Sequence, residues 1–409
     1  MEIYSETGAT STPVLSFDSG IIEKYYRGLS FTVRACLAVC AAMSLKGRTK
    51  PLSLILEGAS GLGKTAVIQM FVPKAEPSLK DYIYRSDDFT AKAFVTHAAN
   101  VSKEELNQID LLPRLRDKIL LTKELAPVFR GNEEKQTERF AVLISVLDGE
   151  GFISDSGMRG RRGYDEPILF NWIGATTPLS PKTHRIMSQL GTRFLFWEVP
   201  AIELTDAELL EYARNGKSDE GAIQCNTLVN RFLCDFFSLH PVRSVDPETI
   251  IFPETLLEEL IRWARLLVKG RAVIHRDYDL INESVPVSAA QSEGPWRVVD
   301  YFKNLVCGHA LISGRTEVTD EDVALIAHIA VSSLPMHFRP VIRQLSQGTD
   351  FVTSTECEEL CRVSRPTARK ILQELELLGI VDRVKGYPET NQPDSVRLAN
   401  LFSWLRGKP

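Results

Sequence analysis

A glycine-rich segment, GASGLGKT at residues 58–65, constrains this chain more than any other feature. It follows an apolar run at 52–56 and opens a helical pattern. Glycines let the backbone wrap so that N–H groups point at phosphate oxygens, and the positive end of the following helix adds to this attraction. In such a loop Lys64 reaches the β- and γ-phosphates, and the Thr65 hydroxyl ligates Mg²⁺. The segment predicts a nucleoside triphosphate site made by Gly58, Ala59, Ser60, Gly61, Leu62, Gly63, Lys64, Thr65 and Ala66.

The composition is that of an ordinary soluble protein, with 44% hydrophobic and 25% charged residues. No apolar stretch approaches a transmembrane span, and the polar, acid-containing N-terminus does not resemble a signal peptide. The net charge of −5 means that any contact with nucleic acid must come from local basic patches. The seven cysteines form no CxxC pair, which favours free thiols in a reducing compartment. We therefore expect a cytoplasmic protein, nucleoid-associated if it binds DNA, with no membrane partner.

Short apolar strands alternate with helical patterns in the first half of the chain. The strands are predicted at 52–56, 80–86, 119–122, 168–177 and 193–199. Such interleaving predicts an α/β fold, with a parallel sheet covered by helices on both faces. From about residue 202 helical patterns take over, and the polar segment 271–294 between two of them is predicted to be a flexible loop. Two capping boxes, Ser102 with Glu105 and Thr319 with Asp322, predict helix starts.

The last seventy residues change character again. Two helical patterns at 355–361 and 366–378 flank a short turn, and strand patterns at 380–384 and 396–398 follow. This order predicts a helix-turn-helix with a β-wing. The predicted regions are a polar lead-in at 1–28, an α/β domain at 29–201, an all-helical lid at 202–338 and a winged helix at 339–409.

Over residues 29–335 the sequence resembles the AAA+ ATPases, specifically the branch with the minichromosome maintenance helicases and the MoxR-type ATPases. The phosphate loop and the motifs described next carry the resemblance. It implies a P-loop α/β domain with a helical lid, ATP and Mg²⁺ as ligands, and a homo-oligomeric ring, with six subunits as the expected number.

The motif KILLTKEL at 118–125 matches a family strand that ends in Asp-Glu. In the family the Asp orients Mg²⁺ and the Glu polarises the attacking water. Glu124 fills the second position and would contact Mg²⁺ through water. Lys123 stands where the Asp is expected, which is the main departure from the family pattern.

Three further motifs match residues that act on the γ-phosphate in the family. WIGATTP at 172–178 supplies sensor 1, for which Thr177 is the candidate and Thr176 the alternative. LGTRF at 190–194 supplies an arginine finger, Arg193, that acts on the nucleotide of the next subunit. EGPWR at 293–297 supplies sensor 2, Arg297, which we expect to act from the same subunit as Lys64.

Two basic segments are candidates for DNA contact. The segment 148–167 lies where helicases of this branch carry a pore hairpin, and its basic residues are Arg159, Arg161 and Arg162. A solvated loop or a subunit contact is the alternative for it. The C-terminal candidates are Arg365, Thr367, Arg369, Lys370, Arg383 and Lys385. Because winged helices also dock proteins, a protein adaptor is the alternative partner there.

Three functional hypotheses follow. The first is an ATP-driven ring that acts on DNA as a helicase, translocase or remodeller. The second is a MoxR-like protein remodeller that uses its winged helix to dock a protein. The third, supported by Lys123, is an ATP-gated DNA-binding initiator or regulator that hydrolyses slowly or not at all.

Overall fold

The structure is a computed structural model. It describes residues 15–96, 101–156, 160–189, 191, 193–203, 205–215, 219–274, 276–277, 285–286, 292–384 and 393–408. Among these residues no helix combines the length and the apolarity that a bilayer crossing requires.

The strands of the described chain are β1 (Leu52–Glu57), β2 (Ile83–Arg85), β3 (Ile119–Thr122), β4 (Phe152–Ser156), β5 (Gly160–Tyr164), β6 (Asn171–Thr176), β7 (Phe194–Glu198), β8 (Arg276–Asp277), β9 (Val285–Pro286), β10 (Val352–Thr353), β11 (Val381–Val384) and β12 (Ser395–Leu398). Five of them form a sheet in the order β2-β3-β6-β1-β7, and every pairing in it is parallel. The predicted α/β fold with a five-stranded parallel sheet is confirmed.

The helices are α1 (Gly20–Tyr25), α2 (Ser30–Ala41), α3 (Lys64–Phe71), α4 (Lys103–Ile109), α5 (Leu111–Arg114), α6 (Ala126–Phe129), α7 (Glu133–Leu147), α8 (Pro181–Gln189), α9 (Asp206–Asn215), α10 (Asp219–Leu239), α11 (Glu254–Gly270), α12 (Trp296–Ile312), α13 (Asp320–Ser332), α14 (Arg339–Ser346), α15 (Ser354–Cys361) and α16 (Arg365–Leu377). Both predicted capping boxes are present, at the starts of α4 and α13.

The sheet is apolar on both faces because helices cover both. Alternate residues of a strand point to opposite faces, and each face of β3 belongs to a different hydrophobic core. Ile119 and Leu121 pack in the core that contains Val67 of α3. Leu120 packs in the other core, together with Phe140 of α7. The helix that follows the phosphate loop therefore lies on the face toward which odd-numbered β3 residues point.

The helices after residue 202 pack against the sheet domain at several places, among them α10 on α3 and the two contacts described next. Helix α2 lies along α12. A side chain at position 308 of α12 would collide with the Ala38 carbonyl oxygen of α2, so Gly308 lets the two helices lie close together. Helix α13 lies against β7, where the Ser333 hydroxyl accepts a hydrogen bond of 2.8 Å from the Phe196 N–H. The edge strand β7 is therefore covered by the helical region.

At the C-terminus, helices α15 and α16 are joined by a short turn in which Arg362 has a positive φ of 52°. Strands β11 and β12 pair antiparallel, and β10 adds to β12 to complete a three-stranded sheet. Helix α14 precedes this unit and connects it to the sheet domain.

Two local expectations need correction. Residues 15–28 are not a polar lead-in, because they contain α1 and bury the side chains of Phe17 and Ile22 in the main core. The described residues within the predicted loop 271–294 include a short antiparallel pair of strands, β8 with β9. Helix α1 has only six residues, and strands β8 and β9 have two each, so these elements are too short to give a clear periodic pattern in the sequence.

Candidate nucleotide-binding site

The phosphate loop connects the end of β1 to the start of α3. Gly61 and Gly63 have positive φ values of 91° and 83°, a region that residues with a side chain enter only under strain. Gly63 is the residue immediately before α3, so the loop turns directly into the helix N-terminus. Glycine at these two positions therefore gives the loop its shape, as the sequence predicts.

Lys64 is almost fully buried against this loop. Its ammonium group donates hydrogen bonds to the carbonyl oxygens of Gly58 at 2.7 Å and Ala59 at 2.6 Å. Burial lowers the pKa of Lys64, and the nearby charge of Glu124 opposes this shift. The Thr65 side chain is exposed in the first turn of α3. The ammonium group is thus held at the mouth of the loop, where phosphate oxygens would replace the two carbonyl acceptors.

Glu124 and Thr177 lie at the same edge of the sheet as the loop, because the carboxyl ends of parallel strands meet at one edge. Glu124 is exposed, and its carboxylate accepts a hydrogen bond of 2.8 Å from the Ala126 N–H. The Thr176 hydroxyl is buried and donates to the Thr177 carbonyl oxygen. Thr177 is only partly buried, and it remains the better sensor-1 candidate.

Arg193 lies at the opposite end of the strands, the amino edge of the sheet, where the parallel strands begin. It immediately precedes β7. Its Nε and Nη2 atoms donate to the Asp148 carboxylate at 3.0–3.2 Å, and only 11% of its side chain is exposed. Gly191 leaves the space that this guanidinium occupies, because a Cβ atom there would collide with Arg193 Nη1. Asp148 is a residue that the sequence reading missed.

Arg297 lies beside Arg193 and shares its acidic partner. Its guanidinium is 3.7 Å from Asp148 and 3.6 Å from Glu293. The structure places Arg297 beside Arg193 and not beside Lys64 of the same chain, contrary to the position expected from the sequence. The helical region carries Arg297 to the amino edge of the sheet, away from the phosphate loop.

The separation between the two groups follows from the strand register. Ser53 of β1 is paired with Phe194 of β7, so Arg193 is level with the beginning of β1. The phosphate loop begins after Glu57, and five residues of strand span about 17 Å. Arg193 and Arg297 therefore lie too far away to reach a phosphate bound by Lys64 of the same chain.

Comparisons with known proteins give a distant structural likeness. No protein-family model matches the chain, and no curated protein matches it in sequence. One similar solved structure is the crystal structure of a full-length MCM homolog from Methanopyrus kandleri, with 14% identity and a TM-score of 0.39. The match covers 79% of this chain and 63% of that one, so this chain corresponds to less than two thirds of the MCM homolog. At this distance the likeness assigns no activity, and the functional argument rests on the site itself.

A buried ion pair lies directly beneath the phosphate loop. The Glu57 carboxylate, 1% exposed, is 2.6 Å from the guanidinium of Arg339 at the start of α14. Its other oxygen accepts a hydrogen bond from the Leu179 N–H, two residues after Thr177. Arg339 also approaches Glu198 at the end of β7, to 3.7 Å. Glu57 thus joins the phosphate loop, the sensor-1 loop and the helix that leads into the C-terminal unit.

Two buried histidines beside this pair predict a loss of stability on mild acidification. Burial, reinforced by Arg339, lowers the pKa of His184 to about 3, and burial lowers that of His328 to about 4. Both values lie below the ordinary value of about 6.5, so the unfolded chain binds more protons and the folded state loses stability as pH falls from 6.5.

We expect each histidine to reduce the free energy of unfolding by about 2 kcal/mol between pH 7 and pH 5. Urea denaturation of the wild type and of His184→Gln at both pH values measures this. The variant should lose about 2 kcal/mol less than the wild type over the same interval. Equal losses in the two proteins would contradict the assignment of a buried neutral imidazole.

A hairpin is present at the predicted position, formed by strands β4 and β5. Arg161 and Arg162 lie on β5, whereas Arg159 lies outside the described residues. Arg161 is exposed and pairs with Asp165 at 3.1 Å, which offsets part of its charge. At the base of the hairpin, the Tyr164 hydroxyl donates to Asp110 of the preceding helical segment. The hairpin is therefore anchored at its base, and the charge of Arg161 is partly neutralised by a neighbouring acid.

In the C-terminal unit, Arg365, Thr367 and Arg369 are exposed at the start of α16, and Lys370 is half-buried. Arg383 differs from the prediction, because only 15% of its side chain is exposed and it pairs with Asp394 at 2.7 Å. It ties strand β11 to the residue preceding β12 and does not face outward as a DNA contact. Lys385 lies outside the described residues.

The residues at the carboxyl edge fit Mg²⁺ poorly. Mg²⁺ in P-loop enzymes is held by the loop Ser or Thr and by an Asp at the end of a neighbouring strand. Thr65 would supply the first ligand, but the strand-end position is Lys123, which has no oxygen donor in its side chain. Among the described residues no cluster of three His, Cys, Asp or Glu side chains suits a metal ion.

Proposed function

We propose that this chain is a ring-forming ATPase that acts on DNA. The supporting observation is the division of the site between two edges of one sheet. Lys64, Glu124 and Thr177 lie at the carboxyl edge, and Arg193 with Arg297 lies at the amino edge. A complete site then needs two copies of the chain, with the phosphate loop of one copy facing the arginines of the next.

In this arrangement each side chain has a defined task. Lys64 holds the β- and γ-phosphates, and Glu124 takes a proton from the water that attacks the γ-phosphate. Thr177 orients that water through its hydroxyl group. The two guanidinium groups of the neighbouring subunit stabilise the charge that develops in the transition state. Release of Arg193 from Asp148 is required before it can enter the neighbouring site.

ATP turnover measured with and without single-stranded, duplex and branched DNA tests this function. We expect turnover that rises with protein concentration, because the site forms between copies, and that increases when DNA is present. Turnover that is independent of protein concentration would contradict the shared site. Turnover that no DNA changes, in low salt, would instead favour a protein-remodelling role.

The exposed residues at the start of α16 make a specific prediction about DNA binding. Replacing both Arg365 and Arg369 by glutamine should weaken duplex binding and reduce the slope of log affinity against log salt by about 2, about 1 for each lost phosphate contact. Fluorescence anisotropy over a salt series measures both quantities.

The matched control for this experiment is Arg262→Gln. Arg262 is an exposed arginine of α11, outside the C-terminal helices, and pairs with Glu258 at 3.1 Å. Its replacement should leave the salt slope unchanged. Equal effects of the double variant and the control would exclude α16 as the DNA-contacting element.

A second candidate function, an ATP-gated DNA-binding regulator, is favoured by Lys123. Without a carboxylate at this position, the end of β3 offers one acidic side chain, Glu124, to promote hydrolysis. If the protein is a slow switch, wild type and Glu124→Gln will retain bound ATP for equal times. If it is a motor, the wild type will release ADP and phosphate while the variant retains ATP.

A further inference from the structure

Residue 123 occupies a defined place relative to the phosphate loop. Ile119 and Leu121 face the core that contains α3, so the alternation of the strand carries residue 123 to the same face. Residue 123 follows the last residue of β3, at the carboxyl edge where α3 begins with Lys64 and Thr65. A side chain at 123 therefore points to the side of the sheet on which the triphosphate would lie.

The side chain at position 123 is positively charged and forms a weak ion pair. The Lys123 ammonium group is 3.5 Å from the Asp87 carboxylate, and the two side chains are 31% and 41% exposed. Asp87 is already bound by Arg85, which lies on the neighbouring strand β2. Exposed pairs of this kind contribute little to stability, so Lys123 can exchange Asp87 for a more negative partner at small cost.

The charge balance at this edge suits a free triphosphate better than a metal complex. Lys64 and Lys123 supply two positive charges, and the helix N-terminus adds to them. The charge of Glu124 acts on Lys64, and the Glu124 carboxylate is engaged by the Ala126 N–H. A lysine in place of a strand-end aspartate raises the local charge by two units, the same amount that a bound Mg²⁺ ion would add.

We propose that this chain binds nucleoside triphosphate without a divalent cation, with Lys123 replacing the charge that Mg²⁺ supplies in related sites. The inference rests on the proposed nucleotide site and specifies its ligand as the metal-free triphosphate. It also accounts for a lysine at position 123, where the sequence comparison with the family expects an aspartate.

Equilibrium binding of a fluorescent ATP analogue tests this, in buffer with excess EDTA and in buffer with excess Mg²⁺. The dissociation constants of the wild type in the two buffers should agree within about threefold, which is a small difference in binding free energy. In Lys123→Asp the Mg²⁺ complex should bind at least about tenfold more tightly than the free nucleotide, because the variant gains a carboxylate ligand and loses a cation.

Two further variants make the result decisive. Lys123→Gln removes the charge without adding a ligand, so it should weaken metal-free binding without creating a preference for Mg²⁺. Lys64→Ala should lose binding in both buffers. Wild-type binding that needs Mg²⁺ would overturn this inference alone, and so would a Lys123→Asp variant that stays indifferent to the metal. Absence of wild-type binding in both buffers would overturn the nucleotide site itself.

Discussion

Arg193→Ala should lower the rate of ATP hydrolysis about a thousandfold while leaving ATP binding unchanged, since an arginine finger is worth about 10³–10⁵ in kcat. The reason is geometric. Arg193 lies at the amino edge of the sheet, about 17 Å of strand away from the phosphate loop of its own chain. In the proposed shared site, its loss would remove charge stabilisation from the neighbouring nucleotide and no contact with the nucleotide of its own chain.

Mixing the inactive variants Arg193→Ala and Lys64→Ala provides the sharpest measurement. One variant keeps an intact phosphate loop and the other keeps an intact arginine, so a mixed interface contains one complete site. Equimolar mixing should restore part of the wild-type rate, and the rate should fall again on dilution. Arg262→Ala, which alters an exposed arginine on α11, is the control and should keep the wild-type rate. No recovery on mixing would exclude the shared site.

The buried pair Glu57–Arg339 should produce the largest effect on stability. Arg339→Met leaves the Glu57 carboxylate buried without its cation, and breaking a buried pair in this way costs about 3–5 kcal/mol. Urea denaturation measures the change in the free energy of unfolding. Arg343→Met is the matched control, because Arg343 lies on the same helix and pairs with Glu198 but is 41% exposed. The control should cost about 1 kcal/mol or less.

The double variant Glu57→Gln with Arg339→Met distinguishes the two causes of this loss. If the cost comes from an uncompensated buried charge, neutralising Glu57 should recover part of it. If it comes from the lost packing of the arginine side chain, the double variant should be no more stable than Arg339→Met. A single variant Arg339→Met as stable as Arg343→Met would show that the buried pair contributes nothing.

The sequence predicted the elements whose signals are local. The phosphate loop is recognisable because glycine at 61 and 63 is required by the backbone itself, and the structure places positive φ there. Capping boxes depend on residues three positions apart, so both were predicted correctly. The five sheet strands are short apolar runs, and buried parallel strands need such runs on both faces.

Contacts between segments that are distant in the sequence could not be predicted from local patterns. Asp148 is one acid among many in the sequence, and only folding brings it between Arg193 and Arg297. The edge of the sheet on which Arg297 lies is decided by how the helical region packs, which no local pattern encodes. The charge of Arg383 was correctly noted, but its burial against Asp394 depends on pairing within the C-terminal sheet.

The position of Arg339 determines where this protein can be shortened. A deletion that begins before α14 would remove the C-terminal unit and, with it, the cation beneath the phosphate loop. The shortened chain would then hold an unpaired glutamate next to Gly58, and any defect in nucleotide binding would be attributed to the missing unit by mistake. A boundary after Ser346, the last residue of α14, keeps the ion pair within the remaining fragment.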